Sequence, residues 1–358
     1  MMRWNDNRVL ELFNIELPIL QAPMAGASTP EMAVAVSEAG GLGSIPSAQY
    51  SAEQLLEIMA SVRDRTRRPI NINFFAHAMP DPDPAGDMRW RAKLAPYYVE
   101  VGLDPACPLP VTGRKPFDET SCEVVEAYRP EVVSFHFGLP PADLLDRVKA
   151  TGAKIVSSAT TVAEAVWLEE HGVDAVIAMG FEAGGHRGNF LDMDMATQVG
   201  TMALVPQVVD AVRVPVIAAG GISDGRGVAA ALVLGAAAVQ CGTAYLFSPE
   251  AKIPAVHRAA LMNARDDNTA ITNVFTGRPA RGVMNRVMRE VGPLSDLAPA
   301  FPTAGSALAP LRSNREPAGV DDFTNLWSGQ AAKLAERLPA GELTVSLARG
   351  AQQALERI

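Results

Sequence analysis

Short β-branched runs alternate along the chain with longer stretches whose apolar residues recur at helical spacing. The runs Leu17–Ala22, Leu42–Pro46, Pro69–Phe75, Val132–Phe137, Ala153–Ser158, Val173–Met179, Val214–Ala219 and Ala237–Gln240 read as strands. Helices are predicted between them, near Pro30–Ala39, Ala52–Arg65, Thr120–Tyr128, Pro141–Ala150, Val162–His171, Met202–Val212 and Gly225–Leu234. Thr29 is the expected N-cap of the first, with Pro30 in its first position and Glu31 in its first turn. Gly40, Gly152, Gly172 and Gly235 each fall between a helix and the next strand, where a left-handed residue ends a helix at little steric cost. This repeated order predicts a parallel sheet of the α/β class. Closing eight such units gives a (β/α)8 TIM barrel; an open doubly wound sheet is the alternative.

Two stretches interrupt the pattern. Residues 78–118 are Pro-rich and mixed, and an insertion after the third strand sits on the face where barrel chemistry forms. Residues 249–358 read as a mostly helical extension, with helices near Asp321–Leu338 and Glu342–Arg357. The expected division is a barrel over 1–248 and a C-terminal extension over 249–358 that forms part of a second lobe.

Composition narrows the classes. With 48% hydrophobic and 20% charged residues the chain is too apolar to be disordered. A net charge of −9 without any basic run argues against a nucleic-acid partner. Cys107, Cys122 and Cys241 form neither a disulfide framework nor a zinc-ligand spacing. No apolar run reaches the roughly 20 residues of a membrane span, and no secretory signal is evident at the N-terminus. A cytoplasmic enzyme without metal or membrane partner is the expectation, its oligomeric state left open.

Chemistry concentrates at the predicted strand ends. The segment Met179–Asn189, MGFEAGGHRGN, follows the sixth strand. Its glycines permit close backbone approach to a flat ligand, and His186 suits proton transfer near neutral pH. A tight loop in which the histidine only caps a turn is the competing view. AAGGISDGRG (218–227) and VQCGT (239–243) end the seventh and eighth strands, one α/β step apart, and their backbone N–H groups suit a phosphate. QAPMAGAS (21–28) brings small residues to the first strand's end, which leaves room for a planar ring. Asn73 offers an amide to such a ring, or is a satisfied strand-end residue. His136 either lines the pocket opposite His186 or belongs to the core. His77, His171 and His257 fall in no constellation.

Taken in order, PILQAPMAGASTPEMAVAVSEAGGLGSI, NINFF, SFHFG, GFEAGGHRG, AAGGISDGRG and VQCGT resemble the nitronate monooxygenase family, formerly the 2-nitropropane dioxygenases, and its first class most closely. The resemblance runs from about residue 15 to 290. It implies a barrel that holds FMN without a metal. Gly220, Gly221, Gln240, Cys241, Gly242 and Thr243 would hold the FMN phosphate, and Ala22, Pro23, Met24 and Asn73 would line the ring, with Gly184 passing close to it. His186 would be the catalytic base toward a nitroalkane, and a nitronate would need it only for orientation. Dioxygen would complete the cycle.

Two departures stand out. Met179 occupies a position near the flavin where the family pattern has Gln. The stretch Asp296–Asn314 has no Tyr or Lys, where family members carry both near the substrate; Phe301, Arg312, Tyr97 and Tyr98 are the candidate replacements. Related enzymes share the EAGGH loop, so the alternative activity is an NAD(P)H-dependent flavin reductase acting on quinones or an enoyl thioester.

Overall fold

The computed structural model describes residues 4–110 and 114–357, so residues 111–113 of the expected insertion lie outside the described residues. Helix α1 (Arg8–Phe13) leads into β1 (Ile19–Gln21), α2 (Pro30–Glu38), β2 (Gly43–Pro46), α3 (Ala52–Arg65) and β3 (Ile70–Phe75). Next come α4 (Pro84–Glu100), α5 (Glu119–Tyr128), β4 (Val132–His136), α6 (Ala142–Ala150), β5 (Lys154–Ala159), α7 (Val162–Glu170) and β6 (Ala175–Met179). A two-residue β7 (Gly185–His186) precedes α8 (Thr201–Ala211), β8 (Val216–Ala219), α9 (Gly225–Val233) and β9 (Ala238–Cys241). The chain finishes with α10 (Ala255–Met262), β10 (Thr269–Thr272), β11 (Ala280–Val283), α11 (Arg286–Val291), α12 (Ala309–Arg315) and α13 (Ala340–Leu355).

Eight parallel strands run in the order β1-β9-β8-β6-β5-β4-β3-β2. The ring closes where Leu20 bridges Leu42: Gln21 N donates to Leu42 O and Leu42 N to Ile19 O, both at 3.0 Å. This is the TIM-barrel-like closure, and each predicted run supplies one strand. The four helix-ending glycines have φ of +91° at Gly40 and Gly152, +79° at Gly172 and +96° at Gly235, where a side chain is strained. Thr29 caps α2 as expected, its Oγ1 accepting from Met32 N at 3.2 Å.

Side chains alternate across each strand, so inward positions recur every second residue. At the lower end they are apolar: Leu20, Leu42, Val132, Val156, Ala175 and Ile217 pack with Val9 and Phe13 of α1, which closes the floor. Toward the carboxyl ends the same inward series becomes Asn73, Ser134, His136, Ser158, Met179 and Gln240. Core burial thus fixes the strands, and the site sits at their tips.

The interruptions resolve differently from their sequence pattern. Inside 78–118, α4 buries Trp90, Leu94, Tyr97 and Tyr98 on one face, and Asp83 Oδ1 accepts from Gly86 N at its start. That face packs with Phe275, Val287, Leu311 and Phe323. Trp90 Nε1 donates to Ala304 O at 3.0 Å and Tyr98 Oη to Ala307 O at 2.6 Å. The part after residue 248 is not simply helical: β10 and β11 pair antiparallel, and β11 pairs with β7. The expected helix over Asp321–Leu338 is replaced by turns with one short 3-10 segment, Ala332–Leu334. Tertiary partners take its backbone groups instead. Ser328 N donates to Arg281 O, Gly329 N to Thr243 Oγ1 and Gln330 N to Glu182 O. Finally, α13 packs against α2 and α9, in the ring of helices around the barrel. No described helix is long and apolar enough to cross a membrane.

Candidate active site

A cavity of about 490 Å³ opens at the carboxyl ends of the barrel strands. It is lined by Ala22, Pro23 and Met24 after β1, Asn73 of β3, His136 of β4, Met179 of β6, and Gly184 and His186 beyond β6. Gly220, Gly221, Gln240, Gly242 and Thr243 line the side where β8 and β9 end as neighbours. Cys241 does not face the cavity: alternation along β9 turns its thiol into the core, where burial pushes its pKa up to about 12. It has only its backbone to offer a ligand.

The glycine turns follow from close approaches. Gly220 and Gly221 have φ of +109° and +71°, and a Cβ on Gly220 would sit 3.0 Å from Gly180 O. Gly184 is required by packing: its Cβ would lie 2.5 Å from Gly329 N. Gly185 faces open space at φ +72°. Thr243 Oγ1 accepts from Gly329 N at 2.9 Å, which leaves its hydroxyl hydrogen free to donate to an anion, and it begins a 3-10 turn, Thr243–Phe247. Left-handed glycines beside that hydroxyl fit a phosphate.

The loop after β6 is clamped from both sides. Arg187 is fully buried and donates to Met179 O at 2.9 Å, Gly180 O at 2.5 Å and Gln198 Oε1 at 2.8 Å. Arg281 Nε donates to Phe181 O at 3.0 Å while its guanidinium lies 4.7 Å over the Phe181 ring. Glu182 holds the start of α8, its Oε2 accepting from Thr201 N at 2.8 Å. His186 itself is a strand residue, paired with Ala280 of β11.

Three histidines line the cavity: His257, whose Nε2 donates to Trp327 O at 2.9 Å, and His136 and His186, which differ in what their ring nitrogens meet. His136 Nδ1 lies 3.1 Å from Ser158 Oγ and Nε2 lies 3.2 Å from the His186 carbonyl oxygen. A carbonyl only accepts, so Nε2 carries the hydrogen and Nδ1 accepts from Ser158. Gly188 makes room for this ring, since a Cβ there would be 3.0 Å from His136 Cε1. His186 Nε2 meets Thr276 Oγ1 at 2.9 Å, and no described residue engages its Nδ1. Burial, then Arg114, His136 and Arg278, hold His186 well below its ordinary pKa of 6.5. His136 is lowered to about 3 by burial and Arg278. Both rings are neutral at pH 7.

Two site residues were invisible to the motifs: Arg114 lines the cavity, and Arg278 stacks 3.9 Å over the Phe137 ring. Neither Arg114 nor Arg278 has a carboxylate within ion-pair distance among the described residues, and burial lowers both pKa values. His77 packs edge-on against Phe301 at 4.7 Å, within the same aromatic group as Phe75 and Phe137. His186 lies 5.4 Å from the Phe301 ring and 5.5 Å from Trp327. Of the replacements expected in place of Tyr and Lys, Arg312 lines the cavity and Phe301 reaches His186. Tyr97 and Tyr98 instead pack in the cluster under α4. Asn73 Nδ2 donates to Ser134 Oγ at 3.0 Å, and no described group engages its Oδ1.

A family model described as nitronate monooxygenase matches residues 6–350. A nitronate monooxygenase of Pseudomonas aeruginosa is 42% identical over 351 residues, 95% of this chain and 98% of that protein. A probable nitronate monooxygenase of Staphylococcus aureus is 36% identical, with 99% of each chain covered. Among solved structures, a nitroalkane oxidase from Streptomyces ansochromogenes superposes with a TM-score of 0.88 at 38% identity, covering 98% of this chain and 99% of the other. FabK from Thermotoga maritima gives 0.74 at 30% identity, covering 100% and 98%. The cavity at the barrel mouth and the near-full-length matches agree, and the chain belongs to the nitronate monooxygenase family of oxidoreductases.

Proposed function

We propose that this protein oxidises alkyl nitronates, and neutral nitroalkanes, with dioxygen and FMN, and that His186 is its catalytic base. The observation that carries the reading is a neutral imidazole with an unengaged nitrogen, in one cavity with two neighbouring glycine-rich strand ends. Gly220, Gly221, Gln240, Gly242 and Thr243, with the Cys241 backbone, would hold the phosphate. Ala22, Pro23, Met24, Asn73 and Met179 would flank the ring, with Gly184 beside it. FMN, when bound, supplies the electron-accepting and oxygen-activating chemistry.

The chain's own groups prepare the substrate. His186 removes the α-proton of a nitroalkane, whereas a nitronate arrives already deprotonated. Arg114 and Arg312 favour the anionic nitronate electrostatically, and burial, with the charges of Arg114 and Arg278, keeps His186 unprotonated beforehand. His136 holds the His186 backbone and presents its ring to the substrate. Oxygen consumption by FMN-loaded protein with propionate 3-nitronate, ethylnitronate and nitroethane tests the proposal. Turnover of a nitronate is expected. No oxygen uptake, with rapid anaerobic bleaching of the flavin by NADH or NADPH, would instead favour the alternative reductase activity.

A further inference from the structure

The His186 ring is held from outside the barrel. Thr276, in the turn between β10 and β11, is buried, and its Oγ1 lies 2.9 Å from His186 Nε2 and 3.4 Å from the Arg278 carbonyl oxygen. That carbonyl only accepts, and no other described group donates to it. The hydroxyl hydrogen therefore goes to Arg278 O, and the hydroxyl oxygen accepts from Nε2–H. This arrangement satisfies all three groups; the opposite one leaves a carbonyl unmet. The ring proton then sits on Nε2 and the lone pair on Nδ1. The backbone around it is equally fixed: Ala280 pairs with His186, Arg187 N donates to Pro279 O at 2.9 Å, and His136 Nε2 donates to the His186 carbonyl.

We propose that Thr276 is a positioning residue that sets the Nε2–H tautomer of His186, so that Nδ1 is the atom that takes the substrate proton. The inference rests on His186 acting as the base. In the step, the α C–H bond of the nitroalkane breaks and an N–H bond forms at Nδ1. The carbon's electron pair moves into the nitro group, which gives a nitronate and an imidazolium. The groups whose charges act on that ring, Arg114, His136, Arg278 and His77, include no carboxylate, and the cavity's own carboxylate, Glu316, is paired with Arg312. The Thr276 oxygen is the acceptor it meets directly, and a hydrogen bond to it strengthens as the ring becomes charged.

The test uses FMN-loaded protein with Thr276→Val, Thr276→Ser and His186→Asn, each assayed on nitroethane and on ethylnitronate. Thr276→Val is expected to lower kcat for nitroethane about tenfold to a hundredfold, the size of one lost hydrogen bond to a charged group. It should leave ethylnitronate turnover and bound FMN near parent values and shift the acid limb of the nitroethane pH profile. Thr276→Ser should restore both. Equal losses on the two substrates, or none, would overturn the inference. His186→Asn separates the two readings: nitroethane turnover surviving in that variant rejects the base, whereas loss there with none in Thr276→Val rejects only the role of Thr276. Nitrogen NMR of histidine-labelled parent protein reads the tautomer without any Thr276 variant. The two signals absent from His186→Asn should belong to a protonated Nε2 and an unprotonated Nδ1, and the reverse pattern would contradict the proposal.

Discussion

The floor and the mouth of this barrel are made by the same eight strands, yet they behave as different materials. At the floor, inward positions carry Leu20, Leu42, Val132 and Ile217, sealed by Phe13 of α1. A few residues further along, the inward series holds Asn73, Ser134, His136 and Ser158, and Arg114 and Arg278, with no carboxylate partner among the described residues, approach from outside. The floor follows from local alternation, and each of its residues gains by leaving water. The mouth is assembled by distant segments and keeps groups in states that water would not favour. Stability therefore resides at one end of each strand and chemistry at the other.

Changes at the two ends should separate accordingly. Phe13→Ala is expected to lower stability by about 3–5 kcal/mol, as for a buried ring lost from a core. Denaturant unfolding should register that loss while the folded variant turns over nitronate at the parent rate; unchanged stability would mean α1 does not close the floor. Gly221→Val forces a side chain into a left-handed turn at φ +71°, with its Cβ 3.3 Å from Glu182 Cβ. The strain is about 1–2 kcal/mol, and relieving it moves the backbone N–H groups proposed to meet the phosphate, so FMN should dissociate roughly tenfold more readily. Gly152→Val imposes comparable strain at φ +91° in open space between α6 and β5. It should cost stability without touching FMN, and equal FMN loss in both variants would erase the distinction.

The smallest effect lies in pH dependence. Burial holds His77 at about 4 and His136 at about 3, against 6.5 in the unfolded chain. Below pH 6.5 the unfolded chain takes up protons that the folded chain refuses. Stability is therefore complete above that pH and falls as pH drops toward 4 and 3, by up to about 1.4 kcal/mol per pH unit per histidine. No described side chain hydrogen-bonds to either His77 ring nitrogen. His77→Phe should therefore flatten this loss, measured by urea unfolding between pH 7 and 5; an unaltered slope would show that His77 does not contribute.

The barrel was legible because strand, helix and glycine recur locally. The strand-end motifs converge because parallel topology delivers every carboxyl end to one face. What sequence could not supply came from long range. Thr276 meets His186 across 90 residues, and Arg114 and Arg278 belong to segments outside the barrel series. The stretch 321–338 looks helical, yet its backbone bonds to Arg281, Thr243 and Glu182. Two features were present and unread: the Trp90, Leu94, Tyr97, Tyr98 spacing of α4, and the period of two that turns Cys241 away from its neighbours Gln240 and Gly242.

The central claim is that His186 acts on the substrate's proton rather than on its oxidation. Its most direct test compares His186→Asn with parent protein, both loaded with FMN, on nitroethane and on pre-formed ethylnitronate. A loss of roughly 10²–10⁴-fold on nitroethane is expected, with ethylnitronate turnover largely kept. Equal losses on the two substrates, or undiminished nitroethane turnover, would contradict it.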